Sequence, residues 1–289
     1  MKNWIAALRL KTLPLAIGAI LLGSQLDKTS FEWNKFIFAV ATAILLQILS
    51  NLANDYGDFQ KGTDKHRTDR QLSTGSISSN QMLSAIILFV VLSLSTGLYL
   101  LQISFGGHWN YWLLYLGLGV ASIIAAITYT VGKNAYGYLG LGDVFVFIFF
   151  GLVGVLGTSF LFNQTFNWTN LLPAIAYGCL CMGVLNVNNI RDISKDVLTN
   201  KLTLATKLGH TKAIQYQLVL MIVSIVAFVS HHVVNDYFSL APIALVILSV
   251  FHFSKLKNAI ESKDYNAQLK LLSIGSLFVT IVFSFELFA

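Results

Sequence analysis

The sequence predicts an all-α integral membrane protein, with nine transmembrane helices and a cytoplasmic N-terminus. Three observations carry this prediction. The 289 residues are 55% hydrophobic and only 11% charged, where a soluble domain carries about 25% charged residues. Apolar runs repeatedly approach the roughly 20 residues that a helix needs to cross a bilayer. The basic residues also segregate. With the N-terminus inside, 17 of the 19 Lys/Arg fall on inner segments, and only Lys28 and Lys35 fall on outer ones. That is the positive-inside pattern, and one span more or fewer would swap the later loops and destroy it.

Each element follows in order. The chain opens with basic residues ahead of an apolar stretch and shows no clean cleavage site, so residues 1–11 read as a short amphipathic lead-in rather than a cleaved signal. The first span, 12–26, is short, and Pro14 near its start suits a helix N-terminus. Spans two and three, 36–54 and 82–104, enclose a long polar connection, 55–81. Spans four and five, 111–130 and 141–162, flank a connection rich in Gly and Tyr. Spans six and seven, 169–188 and 214–232, enclose a second long polar connection, 189–213. Spans 238–254 and 270–288 complete a single polytopic domain covering residues 1–289. Cys179 and Cys181, two apart within span six, point to different helix faces and read as small packing residues. The net charge of +6 is a topology signal. No loop has the long basic run with interleaved aromatics that nucleic acid would call for.

Two polar segments follow the inner ends of spans two and six, Asn51 to Asp64 and Asn186 to Asp196. Both contain Asn-x-x-x-Asp, as Asn54/Asp58 and Asn188/Asp192, and the two pairs are offset by the same 134 positions. Spans two and three (36–104) therefore correspond to spans six and seven (169–232). An even number of helices separates them, so the repeats are parallel, and a pseudo-twofold along the membrane normal would turn both segments toward one cavity. The chain has only 13 acidic residues. Carboxylates gathered at a membrane surface are costly to desolvate without a cationic partner.

On a helix, positions i and i+4 share a face and i+3 lies beside it. Asn54 and Asp58 would project together, with Asp55 able to join them, as would Asn188, Asp192 and Asp196. These donors are hard oxygens without His or Cys, which suits Mg²⁺, a cation usually completed by water and substrate phosphates. Lys61, Lys65, Arg67 and Arg70 trail the first segment, and Arg191, Lys195 and Lys201 accompany the second. Such a set favours loss of diphosphate from an activated carbon, with the cations stabilising the developing charge. Tyr129, Tyr136, Tyr138, Phe145, Phe147, Phe149 and Phe150 are either packing residues or faces that shield a carbocation. Asp27, Glu32, Asp236, Glu261, Asp264 and Glu286 lack this context and read as solvated or interfacial.

The segments Asn54-Asp55-Tyr56-Gly57-Asp58-Phe59-Gln60-Lys61-Gly62-Thr63-Asp64 and Asn188-Asn189-Ile190-Arg191-Asp192 through Asp196 resemble the paired Asp-rich motifs of the UbiA superfamily of intramembrane prenyltransferases. Within it they look like the 1,4-dihydroxy-2-naphthoate polyprenyltransferase branch. The stretch from Tyr129 to Gly151 is a third match, and the resemblance covers essentially the whole chain. It implies a UbiA-type fold of nine helices around a cavity open to the cytoplasmic side and laterally to lipid, in the inner (cytoplasmic) membrane. It also implies a polyprenyl diphosphate donor, an aromatic acceptor and Mg²⁺ as cofactor, with no obligatory protein partner. By that resemblance Asn54, Asp58 and Asp64 fall on the first motif and Asp192 and Asp196 on the second. Lys61, Arg70, Arg191 and Lys201 fall near the diphosphate, and Tyr129 falls on the tyrosine of the third match. Asp64 departs from the usual spacing, following Asp58 by six rather than four. Lys133 stands where a Pro-containing run is expected, and either meets an acceptor carboxylate or marks the inner membrane edge. The implied reaction is prenylation of 1,4-dihydroxy-2-naphthoate with loss of CO₂ and diphosphate. The alternatives are another acceptor, such as 4-hydroxybenzoate, or a cation-coupled transporter that uses intramembrane acids.

Overall fold

The computed structural model describes residues 2–27, 31–64, 67, 70–236 and 239–286, so Lys28 and Lys65 lie outside it. After a short lead-in helix, Lys2–Leu8, come α1 (Leu13–Gln25), α2 (Trp33–Gln60), α3 (Ser79–Phe105) and α4 (Trp109–Thr128). They are followed by α5 (Gly142–Asn163), α6 (Leu171–Leu198), α7 (His210–Val234), α8 (Ala241–Leu256) and α9 (Ser262–Glu286). Among the described residues, eight helices are long and apolar enough to cross a membrane, the first counted with its lead-in as Lys2–Gln25. The predicted span at 238–254 corresponds to α8, a shorter apolar helix of 16 residues.

Local chemistry sets the helix ends. Pro14 sits in the first turn of α1 and Pro242 in that of α8, where the missing N–H removes no helical bond. Ser78 and Gln81 form a reciprocal capping box that starts α3. α5 contains an 11-residue π-helical segment, Phe147–Gly157, in a region whose residues are almost all apolar.

The helices pack in two groups. α2, α3 and α4 form one, and α6, α7, α8 and α9 form the other. α1 touches both groups, lying against α2 on one side and α9 on the other, while α5 lies on α6 and α1. The main core joins α1 and α5 to the second group through Leu22, Tyr177, Leu180, Phe228 and Phe283. A second cluster, around Leu49, Leu52 and Met82, binds α2 to α3 and takes in Leu72 and Ile77 of the intervening loop. A third closes the bundle at the end opposite the Asp-rich motifs, through Ile20, Ala39, Leu101 and Phe105. Cys179 and Cys181 are buried and free, as packing residues should be.

Candidate active site

The site lies where α2 and α6, each 28 residues long, end at the same side of the bundle. Both continue well past their apolar stretches, so Asn54, Asp55, Asp58, Asn188, Asp192 and Asp196 are all helical. Gly57 lets α2 approach the turn after α4. A Cβ there would lie 2.5 Å from Thr130 Oγ1, and that same hydroxyl donates to the Ala53 carbonyl at 3.0 Å.

A cavity of about 870 Å³ joins the two motifs. Asn54, Asp58, Asp64, Arg67, Arg70, Tyr129, Asn188, Arg191, Asp192, Asp196 and Lys201 all line it. The halves interlock by crossed ion pairs. Arg67, trailing the first motif, places Nη1 3.2 Å from Asp192 Oδ2 of the second. Lys201, trailing the second, places Nζ 3.4 Å from Asp58 Oδ2 of the first. Arg67 and Lys201 are 134 positions apart, the same offset as Asp58 and Asp192.

The remaining partners are specific. Arg191 donates to Asp192 Oδ2 at 2.6 Å, to Asn188 Oδ1 at 2.7 Å and to Asn266 Oδ1 at 2.6 Å. Tyr138 donates to Asp58 Oδ1 at 2.7 Å. Arg70 Nε and Asp64 Oδ2 stand 3.3 Å apart, yet neither atom makes a hydrogen bond among the described residues. Burial, and after it the Asp58 carboxylate, push the Asp64 carboxyl up to about 7. Burial likewise raises the phenols of Tyr129, Tyr136 and Tyr138, so they act as neutral donors or aromatic walls.

Two of the expected site residues stand beside the cavity rather than in its lining. Asp55, considered a possible metal ligand, does not line the cavity. Its carboxylate is ion-paired with Arg9 and with Arg70, whose Nη1 lies 2.7 Å away. Lys61, which the resemblance places near the diphosphate, is exposed, caps α2 and does not itself line the cavity. Its ammonium rests 3.9 Å over the Tyr138 ring, and partial desolvation lowers its pKa against the pull of the Asp58 carboxylate. Its charge also acts directly on those of Asp58 and Lys201. Lys133 is exposed and does not line the cavity either, in keeping with a membrane-edge role. Tyr136, Phe145, Phe149 and Phe150 line the cavity, whereas Phe147 packs on α6, where a Cβ on Gly178 would meet its ring.

Sequence reasoning underused four residues. Arg67 and Lys195 were only members of basic runs, yet both line the cavity. Arg9, which donates to Asn54 Oδ1 at 3.0 Å, was counted only as a topology charge. Asn266 stood alone on the last helix, and nothing in its surroundings marked it. For Arg67 a signal existed in its 134-residue offset from Lys201.

The donor set fits a hard cation. It offers carboxylate and amide oxygens, and Asp64 Oδ2 makes no hydrogen bond among the described residues. Among the described residues, no three His, Cys, Asp or Glu side chains converge to hold a metal by themselves. A Mg²⁺ bound here would thus take part of its shell from water and a phosphorylated ligand.

The model of the UbiA prenyltransferase family matches residues 12–277. The chain belongs to this family. It is 38% identical to the 1,4-dihydroxy-2-naphthoate octaprenyltransferase of Haemophilus influenzae, over 99% of this chain and 96% of that one. It is 44% identical to the Escherichia coli protein of the same name, over 77% of this chain and 74% of that one. Among solved structures, a UbiA homolog from Aeropyrum pernix K1 superposes with a TM-score of 0.71 at 15% identity, covering 99% of both chains. A UbiA homolog from Archaeoglobus fulgidus bound to GPP and Mg²⁺ gives a TM-score of 0.68 at 13% identity, over 96% of this chain and 99% of that one. At these identities the structures speak for the shared fold.

Proposed function

We propose that this protein transfers a polyprenyl group from polyprenyl diphosphate to 1,4-dihydroxy-2-naphthoate, releasing diphosphate and CO₂ and giving demethylmenaquinol. The observation that carries the reading is the crossed pairing of the two motifs at the polar end of one cavity, whose remaining walls are largely apolar. The acceptor follows the name shared by the two bacterial relatives.

Asp58 and Asp64 with Asn54, and Asp192 and Asp196 with Asn188, would hold Mg²⁺. When bound, the metal supplies neutralisation of the leaving diphosphate. Arg67, Arg70, Arg191 and Lys201 donate to its oxygens. The allylic C–O bond then breaks beside Tyr129, Tyr136, Phe145 and Phe149, whose faces exclude water and stabilise positive charge. The naphthoate ring carbon that bears the carboxylate attacks, and the new C–C bond forms. The carboxylate leaves as CO₂, and the electron pair of its C–C bond restores aromaticity. The step balances without a separate general base.

The two motif-bearing segments act as parallel repeats about the cavity, which their common offset supports. The site faces the cytoplasm from a multi-pass protein of the cytoplasmic membrane, supported by the 17 of 19 basic residues on that side. A transporter would need its acids near the bilayer midplane, whereas these occupy the last turns of α2 and α6. The test supplies naphthoate, 4-hydroxybenzoate and homogentisate with polyprenyl diphosphate and Mg²⁺, and reads product mass. The expected product is prenylated naphthoate lacking the carboxylate mass. Prenylation of 4-hydroxybenzoate alone overturns the acceptor, and a product that retains the carboxylate overturns the decarboxylation.

A further inference from the structure

The two halves of the site hold their central carboxylates differently. Asp192 is gripped by the residue before it: Arg191 Nε donates to Asp192 Oδ1 at 3.0 Å and Nη2 to Oδ2 at 2.6 Å. The position 134 residues earlier, just before Asp58, is Gly57, which has no side chain to offer. The turn after α4 packs against that glycine through Thr130. The segment that follows the turn brings in Tyr138, whose hydroxyl donates to Asp58 Oδ1 at 2.7 Å. Among the described residues, Asp58 Oδ2 is left with one hydrogen-bond partner, the Lys201 ammonium at 3.4 Å. A phenol therefore stands where the second half uses a guanidinium, and it orients the carboxylate without bringing a positive charge to it.

Tyr138 is itself held from both sides. The Thr63 hydroxyl lies 2.6 Å from the phenol oxygen. The phenol has one proton and gives it to the carboxylate, so Thr63 is the donor in that pair, and the order runs Thr63 to Tyr138 to Asp58. The Thr63 N–H donates to the Asp58 backbone carbonyl at 3.0 Å, which closes a ring at the end of α2. On the other side, the Tyr138 carbonyl accepts from the Leu202 N–H at 3.2 Å, next to Lys201. Gly140, with φ of +79°, permits this approach, since a Cβ there would lie 2.9 Å from the Leu202 carbonyl oxygen. The ring carries two ammoniums, Lys61 3.9 Å and Lys201 5.1 Å from its centroid. Tyr138 thus touches the first motif, the segment trailing the second and a lysine from each, yet it does not line the cavity.

We propose that Tyr138 is a positioning residue that sets Asp58 and Lys201 for the metal and the diphosphate. The proposal rests on the prenyltransferase reading and adds to it a residue that acts from behind the carboxylate. The hydroxyl decides which oxygen of Asp58 is open, and the ring gives Lys201 a resting place within reach of that oxygen. Outer partners of this kind are typically worth about 10–100-fold in metal affinity or activity.

The experiment uses the full-length protein in lipid nanodiscs, with Mn²⁺ as the probe ion and farnesyl S-thiolodiphosphate as an unreactive donor analogue. Binding is read from the free Mn²⁺ signal in electron paramagnetic resonance, and unfolding midpoints are measured beside it. Tyr138→Phe keeps the ring under both lysines and removes only the hydroxyl. It should weaken Mn²⁺ binding at least about tenfold. It should raise the Mg²⁺ concentration for half-maximal diphosphate release by a similar factor, with kcat at saturating Mg²⁺ near wild type. Placing 4-aminophenylalanine at position 138 returns an N–H donor and should restore the affinity. Tyr138→Phe protein that binds Mn²⁺ like wild type overturns the proposal. So does a loss that 4-aminophenylalanine leaves unrepaired, or a Tyr138→Phe protein that no longer folds, because either makes the residue a packing element. Wild-type protein that releases no diphosphate from polyprenyl diphosphate with Mg²⁺ and naphthoate overturns the prenyltransferase reading instead.

Discussion

Asp64 shows how one residue carries both a ligand hypothesis and its test. Burial and the neighbouring Asp58 carboxylate raise it to about 7, so near neutral pH it holds a proton for part of the time. A carboxyl must lose that proton to bind metal. The Mg²⁺ concentration for half-maximal activity should therefore climb as pH falls through 7, by up to about tenfold per unit for one coupled proton. Asp64→Asn should flatten that profile, and an unchanged slope would take Asp64 out of the metal shell. Asp58→Ala and Asp192→Ala should each lower Mg²⁺-dependent diphosphate release by about 10²–10³-fold, the usual effect of removing a group that stabilises transition-state charge. Measured release at the wild-type rate would remove both from the site. These carboxylates were legible in the sequence because acids are rare in this chain and expensive at a bilayer. Arg67 was less legible: it shares a run with Lys61, Lys65 and Arg70, and only the fold of the loop shows which cation crosses to Asp192. The sequence does not show that Asp55 meets Arg9 and Arg70, because those partners come from the lead-in and the following loop.

At the scale of elements, hydropathy found the spans but not the helices. The predicted spans stop at 54 and 188, whereas α2 runs to Gln60 and α6 to Leu198. Apolar content reports depth in the bilayer, while backbone hydrogen bonding carries a helix beyond it. The π-helical segment of α5 was equally hidden, because its residues are apolar in either register. What fixes the rotation of α6 was not visible either. Asn186 donates to Gln217 Oε1 at 2.9 Å, Gln217 Nε2 meets His252 Nε2 at 3.2 Å, and His252 Nδ1 meets Gln268 Oε1 at 2.9 Å. This chain of buried side chains runs through α6, α7, α8 and α9, and it is fully satisfied when His252 carries its proton on Nδ1. It holds α6 with Asn188 and Asp192 toward the cavity. His252→Ala would leave a void and strand Gln217 Nε2 and Gln268 Oε1. The expected cost is about 2–4 kcal/mol, read as a lower unfolding midpoint in detergent. A variant that melts like wild type would show that the chain does not hold these helices.

For the whole molecule, charge, aromatic placement and site position must agree on one orientation. The motif end of the bundle carries the Arg and Lys residues of the site. The opposite end exposes Trp33, Trp109 and Trp168, side chains suited to a membrane–water interface. Four of the 17 basic residues on the expected inner side, Arg67, Arg70, Arg191 and Lys201, also line the cavity. The two demands are coupled: an inverted protein would present its diphosphate site to the wrong compartment. Cysteine labelling can test this, because both native cysteines are buried. Lys263, with its side chain 77% exposed, lies at the start of α9 on the motif side. His108, also exposed, lies in the turn before α4 at the other end. In intact cells a membrane-impermeant maleimide should label His108→Cys and spare Lys263→Cys until the membrane is permeabilised. The opposite pattern would invert the orientation and, with it, move the whole site to the outer face.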